Sequence, residues 1–200
     1  MSKIVVLNSG GFDSVVLMKY LHIIQEENEI HSLHFCYGEN NEEQQCECAY
    51  KVSQEVGAVH KVITLPKIDW TQSNFFESDG YEKQSQYLEY RNLIFLSYAL
   101  SYAESIGAKK VYVAFLNHND YPDNSYEFLK GLNSFCYPAS GIFIDAPFIF
   151  DDKFRLGHIA KYLDIKEGDY FSCDVPTSDG KPCGVCPDCL ALREIAEKIK

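Results

Sequence analysis

The chain has 200 residues, 46% of them hydrophobic and 14% aromatic, enough for one substantial core in a single domain with a short appendage. A formal charge of -11 works against broad binding to a nucleic-acid backbone, which needs a lysine and arginine surface, and favours a small-molecule substrate. The first residues carry no basic leader or cleavage site, and no stretch approaches about eighteen uninterrupted apolar residues, so a soluble cytoplasmic protein without a membrane span is expected.

Residues 4–7 form a short β-branched run closed by Asn8, Ser9 and two glycines. After it Val15, Val16, Leu17, Tyr20 and Leu21 recur at helical spacing, which predicts strand, turn and helix. Residues 30–35 predict a second strand, residues 42–56 a helix closed by Gly57, and residues 59–65 a third strand. Residues 67–86 are the least patterned and read as a mobile loop over the site. Residues 87–106 are apolar on nearly every face and predict a buried helix ended by Gly107; residues 111–116 supply a fourth strand, and residues 190–200 a last helix. The alternation predicts an α/β fold built on one doubly wound, mainly parallel sheet, with ligands beyond the C-terminal ends of its strands.

The most informative local sequence is Ser9-Gly10-Gly11-Phe12-Asp13-Ser14, at the junction of the first strand and first helix. Adjacent glycines let main-chain N–H groups converge on an anion, and the helix N-terminus adds partial positive charge. The bland reading is a glycine turn capped by Asp13 or Ser14. No lysine ends the loop, as transfer of a γ-phosphate from a Walker loop would require. The hexapeptide instead resembles the PP-loop of ATP pyrophosphatases, which split ATP between its α- and β-phosphates. That resemblance implies that Ser9, Gly10, Gly11 and Ser14 hold pyrophosphate and that Asp13 helps to place magnesium.

Cys173 is followed by Cys183-Gly184-Val185-Cys186-Pro187-Asp188-Cys189. Four thiolates from two nearby turns can close a tetrahedron, with proline and glycine shaping tight knuckles, so structural zinc is expected. An iron–sulfur run would place a fourth cysteine where Arg193 stands. Cys36, Cys46, Cys48 and Cys136 are scattered, and a disulfide framework is not expected. The six histidines offer no metal-ligand pair, because His31 and His34 fall on opposite strand faces; only His118 is placed near the expected pocket.

The PP-loop, Arg91-Asn92 at the start of the long helix, Tyr121-Pro122-Asp123, Lys153 and the terminal cysteines follow the order of 7-cyano-7-deazaguanine synthases, and the resemblance spans almost the whole chain. It implies a nucleotide-binding domain over residues 1–165, a zinc-binding segment with the C-terminal helix over 166–200, and a homodimer. It further implies adenylation of 7-carboxy-7-deazaguanine at the expense of ATP and Mg2+, followed by attack of ammonia to give amide or nitrile. Asp13, Arg91 and Lys153 would then be catalytic, Arg91 and Asn92 would join the loop in holding nucleotide, and Tyr121 and Asp123 would bind substrate. Three segments depart from the family pattern. Tyr37-Gly38-Glu39-Asn40-Asn41 stands where the family has a Tyr-Gly-Gln-Arg-His-like run, Glu89-Tyr90-Arg91-Asn92 replaces Pro-Gly-Arg-Asn, and Tyr121-Pro122-Asp123-Asn124-Ser125 replaces Tyr-Pro-Asp-Cys-Arg. The departures in the acceptor half support an alternative, a ligase passing the acyl group to another amine such as one on a protein partner. A non-catalytic nucleotide sensor is the further alternative, opposed by retention of Asp13, Arg91 and Lys153.

Overall fold

The computed structural model describes residues 2–26, 28–67, 88–116 and 121–199. Most of the expected loop over residues 67–86, and His118, lie outside the described residues. Five strands, β1 (Lys3–Leu7), β2 (Glu29–Cys36), β3 (Val59–Thr64), β4 (Lys110–Tyr112) and β5 (Phe143–Asp145), form one sheet in the order β3-β2-β1-β4-β5. Every adjacent pair is parallel, as the alternation of strand and helix predicts. The order reverses between β1 and β4, so the C-terminal ends of these strands diverge and leave the crevice in which such sheets bind ligands.

Helices cover both faces. α1 (Phe12–Ile24), α2 (Glu42–Glu55) and α5 (Lys153–Tyr162) pack over Ile4, Val6, Ile30 and Tyr112. α3 (Arg91–Ile106) and α4 (Tyr126–Ser140) pack over Val5, Leu33, Val111 and Ile144. α6 (Pro187–Lys198) closes the chain against α5; Ile195 lies so close to Gly157 that a Cβ there would come within 2.5 Å of its side chain. α1 is the most deeply seated helix, with Val15, Val16, Leu17, Met18 and Leu21 removed from solvent. Each such side chain contributes roughly 1.5–3 kcal/mol, so the loop before α1 is carried by a rigid element. Among the described residues no helix is long and apolar enough to cross a membrane.

Expectations for three elements need correction. α3 begins at Arg91, because Tyr90 takes a left-handed conformation (φ 51°) that breaks any helix running into it. It is also amphipathic, with Leu96, Ala99 and Ala103 buried but Tyr98 exposed, since only one side meets the sheet. The fourth strand's ladder stops at Tyr112; Val113 still donates to the Asp145 carbonyl, after which the chain lines the crevice instead of pairing. The last helix starts three residues early, at Pro187, whose fixed φ and missing N–H suit a first helical position.

Candidate functional site

Beyond the C-terminal ends of β1, β2 and β4 lies a cavity of about 470 Å³. Its floor is the glycine loop. Gly10 has φ 79°, and a Cβ on it would sit 2.1 Å from the Gln45 carbonyl oxygen of α2. Only glycine lets the loop pass this close to α2. Gly11 is extended (φ -73°) and carries its N–H to Ser9 Oγ at 3.2 Å, while Ser9 Oγ and Ser14 Oγ lie 2.9 Å apart at the mouth of the helix.

Neither Asp13 nor Ser14 caps α1. The Phe12 N–H donates instead to Ser172 Oγ at 2.8 Å, from a segment 160 residues away. The Phe171 N–H donates to the Gly10 carbonyl at 2.9 Å, and Gln45 and Asn41 of the α2 region donate to the carbonyls of Phe171 and Cys173. The C-terminal segment is thus hydrogen-bonded directly to the loop.

It also delivers charge. Lys153 Nζ donates to both oxygens of Asp13, at 2.8 and 2.7 Å, and lies 3.7 Å from Asp188 of the cysteine knuckle. Burial works to lower the Lys153 ammonium, but Asp13 and Asp188 outweigh it and hold its pKa above the ordinary value. Burial drives the Asp188 and Asp174 carboxyls upward, against the pull of Lys153 and, at Asp174, of Arg91. Arg91 Nη1 donates to Tyr37 Oη at 3.0 Å; burial pushes that phenol up to about 12 although the guanidinium opposes it. Three carboxylates around one lysine and one arginine are an oxygen-donor set of the kind that holds Mg2+ beside phosphate.

The residues singled out from the sequence are brought together. Ser9, Gly11, Asp13 and Ser14 line the cavity from one side, and Arg91, Asn92, Tyr121 and Lys153 from others. Gly10 lies beneath, against α2. Asp123 is buried behind the wall, where its Oδ2 accepts the Asn92 N–H at 2.9 Å and fixes the start of α3. Glu39 and Asn124, from two of the segments that depart from the family pattern, also line the cavity, as do Ser172, Asp174 and Asp188, for which no role was expected. Asp188 was readable from its place inside Cys-Pro-Asp-Cys once that knuckle is known to fold onto the loop; Ser172 carries no sequence signal. Asn124 Oδ1 is buried at this wall without a hydrogen-bond partner among the described residues.

The sulfurs of Cys173, Cys183, Cys186 and Cys189 all lie within 4.8 Å of one another. Backbone N–H groups of Cys183 and Cys186 donate to the sulfurs of Cys173 and Cys183 at 3.2 and 3.3 Å, as expected around thiolate ligands. The donor set fits a tetrahedral metal. A larger cavity, about 860 Å³, runs along α4 and β5 with Lys109, Lys110 and Lys130 on its walls. It contains none of the expected residues and no acid–base constellation comparable to that of the first.

Residues 3–199 match the family described as queuosine biosynthesis protein QueC. The 7-cyano-7-deazaguanine synthase of Methanobrevibacter smithii is 31% identical, with 94% of this chain and 90% of that protein aligned. The Rickettsia bellii protein of the same name is 30% identical over 99% of this chain and 95% of its own length. Among solved structures, the U34-tRNA thiolase NcsA from Methanococcus maripaludis, with its 4Fe-4S cluster, superposes with a TM-score of 0.61 at 14% identity over 98% of this chain. A 4-thiouridine synthetase bound to RNA and ATP superposes with a TM-score of 0.55 at 19% identity over 98% of this chain. The chain spans 63% and 50% of those two proteins, and the likeness concerns the fold alone.

Proposed function

The chain belongs to the QueC family of queuosine biosynthesis proteins, and on that premise we propose that it is an ATP-consuming ligase adenylating 7-carboxy-7-deazaguanine. The observation that carries the reading is the seating of Asp13 and Lys153 together at the glycine loop, inside the crevice between β1 and β4.

A carboxylate is a poor electrophile because its oxygen will not leave. One carboxylate oxygen attacks the α-phosphorus of ATP, the α–β phosphoanhydride bond breaks, and pyrophosphate departs. Ammonia then attacks the acyl carbon, loses a proton to solvent, and AMP leaves to give the amide. For the nitrile, the amide oxygen attacks the α-phosphorus of a second ATP and expels a second pyrophosphate; the oxygen then leaves with AMP while nitrogen sheds its two protons to solvent. No side-chain nucleophile is needed, so stabilisation comes from preorganised charge. The hydroxyls of Ser9 and Ser14, with the first N–H groups of α1, hold the departing pyrophosphate. Lys153 and Arg91 face the charge that develops on the phosphates, and Asp13 and Asp188 are the residues that would hold magnesium, which would supply further positive charge there. Asn92, fixed by Asp123, completes the nucleotide side. Tyr121 meets the deazapurine, and Asp123 acts one layer behind it. The four cysteines would hold zinc as a structural ion.

The unpartnered Asn124 oxygen favours a second reading of the acceptor. Where the family has cysteine and arginine, this wall offers the Asn124 acceptor, and Ser125 turns its hydroxyl to the cap of α4, so the arginine's charge and bulk are gone, which suits an amine larger than ammonia, such as one on a protein partner. Incubation of the purified protein with ATP, Mg2+, the deazaguanine carboxylate and ammonium, followed by mass spectrometry, tests both. Amide or nitrile supports the first reading. Adenylate without either, converted on adding an amine-bearing partner, supports the second; bound ATP with no adenylate would leave a nucleotide sensor.

A further inference from the structure

The interface between β2 and α2 is polar where packed α/β layers ordinarily bury hydrocarbon. Ser32, His34 and Cys36 alternate along one face of β2, and Cys46, Ala49 and Ser53 succeed one another along the facing side of α2. One end of this seam satisfies itself. Ser53 Oγ donates to the Ala49 carbonyl at 2.6 Å and meets Ser32 Oγ at 2.9 Å, while Asn8 Nδ2 donates to Ser32 Oγ at 3.0 Å.

The other end does not. His34 is 1% exposed, and its Nδ1 lies 3.0 Å from the Asn8 carbonyl oxygen, an acceptor only, so Nδ1 carries the proton. That tautomer leaves a lone pair on Nε2, which is buried with no hydrogen-bond partner among the described residues. A ring nitrogen of His34 and the sulfurs of Cys36 and Cys46 lie within 4.8 Å of one another. We propose that His34, Cys36 and Cys46 form a second metal site, built from residues other than the C-terminal cysteines, which takes zinc between β2 and α2.

The chemistry of the donors selects the ion. Two sulfurs and an imidazole prefer a thiophilic ion such as zinc over magnesium or calcium, which take oxygen. A ring held through Nδ1–H by a carbonyl is the arrangement that orients metal-ligating histidines. Burial lowers the His34 pKa, so the ring stays in the neutral, ligating form. Burial together with the charges of Glu42 and Glu39 keeps the Cys36 thiol protonated while no cation is bound; a divalent ion reverses that preference, and its binding releases the two thiol protons to solvent. Glu42 stands outside this triad, its carboxylate accepting the Gly38 N–H at 2.7 Å, so its negative charge favours a cation here while water would fill the fourth position. An ion here would pin α2, the helix whose Gln45 carbonyl packs against Gly10, and so would brace the nucleotide loop from behind.

The test is metal stoichiometry on the whole chain, kept reduced, saturated with zinc, desalted and analysed by mass spectrometry beside Cys46→Ser. The variant should hold about one equivalent less than the wild type at unchanged circular dichroism. A second measurement does not depend on the variant's folding. Cobalt titrated into the metal-free wild type should enter in two phases, one with the strong sulfur-to-cobalt absorption of four thiolates and one weaker, as two thiolates and an imidazole give. Equal zinc in both proteins, or a single cobalt phase, overturns the proposal.

Discussion

Lys153 Nζ donates to both carboxylate oxygens of Asp13, at 2.8 and 2.7 Å, locking the first residue of α5 onto the first turn of α1. Asp188 approaches the same ammonium at 3.7 Å, so one cation joins the nucleotide loop, α5 and the cysteine knuckle. Lys153→Met should lower turnover about 100- to 1000-fold, the usual cost of losing one preorganised charge at developing phosphate charge. Because the two residues act as a unit, Asp13→Asn combined with Lys153→Met should be little worse than either alone. Steady-state kinetics of the double-mutant cycle checks this, and full additivity of the two losses would separate the residues.

The two loop glycines should fail differently. Gly10→Ala combines a left-handed backbone with a Cβ driven into the Gln45 carbonyl, and should cost more than about 2 kcal/mol of stability. Gly11→Ala has an extended backbone, and its Cβ meets the Ser9 and Ser172 hydroxyls at 3.2 and 3.6 Å and the Phe171 carbonyl oxygen at an ordinary 3.8 Å, so it should fold normally but weaken ATP binding. Urea denaturation beside nucleotide titration distinguishes the two; equal stability losses would contradict the account.

Glu39 stands where the family's segment has glutamine, and burial, reinforced by neighbouring Glu42, pushes its carboxyl up to about 7. A carboxyl whose folded pKa exceeds its unfolded value of 4.5 has no effect on stability when both states are protonated. Between pH 4.5 and 7 the folded state keeps a proton that the unfolded state has lost, so stability falls as pH rises; above that window the whole penalty remains. Glu39→Gln keeps an acceptor for the Tyr37 N–H and removes the penalty. It should match the wild type near pH 4 and exceed it at pH 8 by on the order of 2–3 kcal/mol. Denaturant melts across that range measure the difference, which should vanish at the acid end.

The cysteine cluster should support activity as well as stability. Cys186 is fully buried, and Asp188 two residues after it and Ser172 next to Cys173 line the cavity beside the nucleotide loop. Cys186→Ser should lose about one metal ion per chain, lower the melting temperature by several degrees, and reduce turnover with substrates held saturating. Metal analysis and calorimetry on the same preparation check it; a metal-depleted protein with wild-type turnover would leave the cluster unconnected to the site.

Much of this was legible in the sequence because its signals are local. A β-branched run ending in Ser-Gly-Gly fixes a strand, a tight turn and a helix N-terminus together, and the spacing of the terminal cysteines permits one closed cluster. The boundaries of α3 were less legible, since an apolar run does not say which side meets the sheet. Tyr90 illustrates the point: it keeps a left-handed φ of 51° where the family has glycine, a backbone feature its side chain disguises. The contacts that complete the site are nonlocal. Ser172 on Phe12, Asp188 on Lys153 and His34 beside Cys46 are joined only by the packing of distant segments, and neither periodicity nor spacing encodes them.

The central claim is attack by a carboxylate oxygen on the α-phosphorus, and oxygen tracing tests it directly. With the deazaguanine carboxylate labelled with 18O at both positions, ATP, Mg2+ and ammonium, each AMP released should carry one 18O, and the pyrophosphate none. The amide should retain one labelled oxygen and the nitrile should retain neither. Unlabelled AMP, or ADP and orthophosphate as the primary products, would contradict the account.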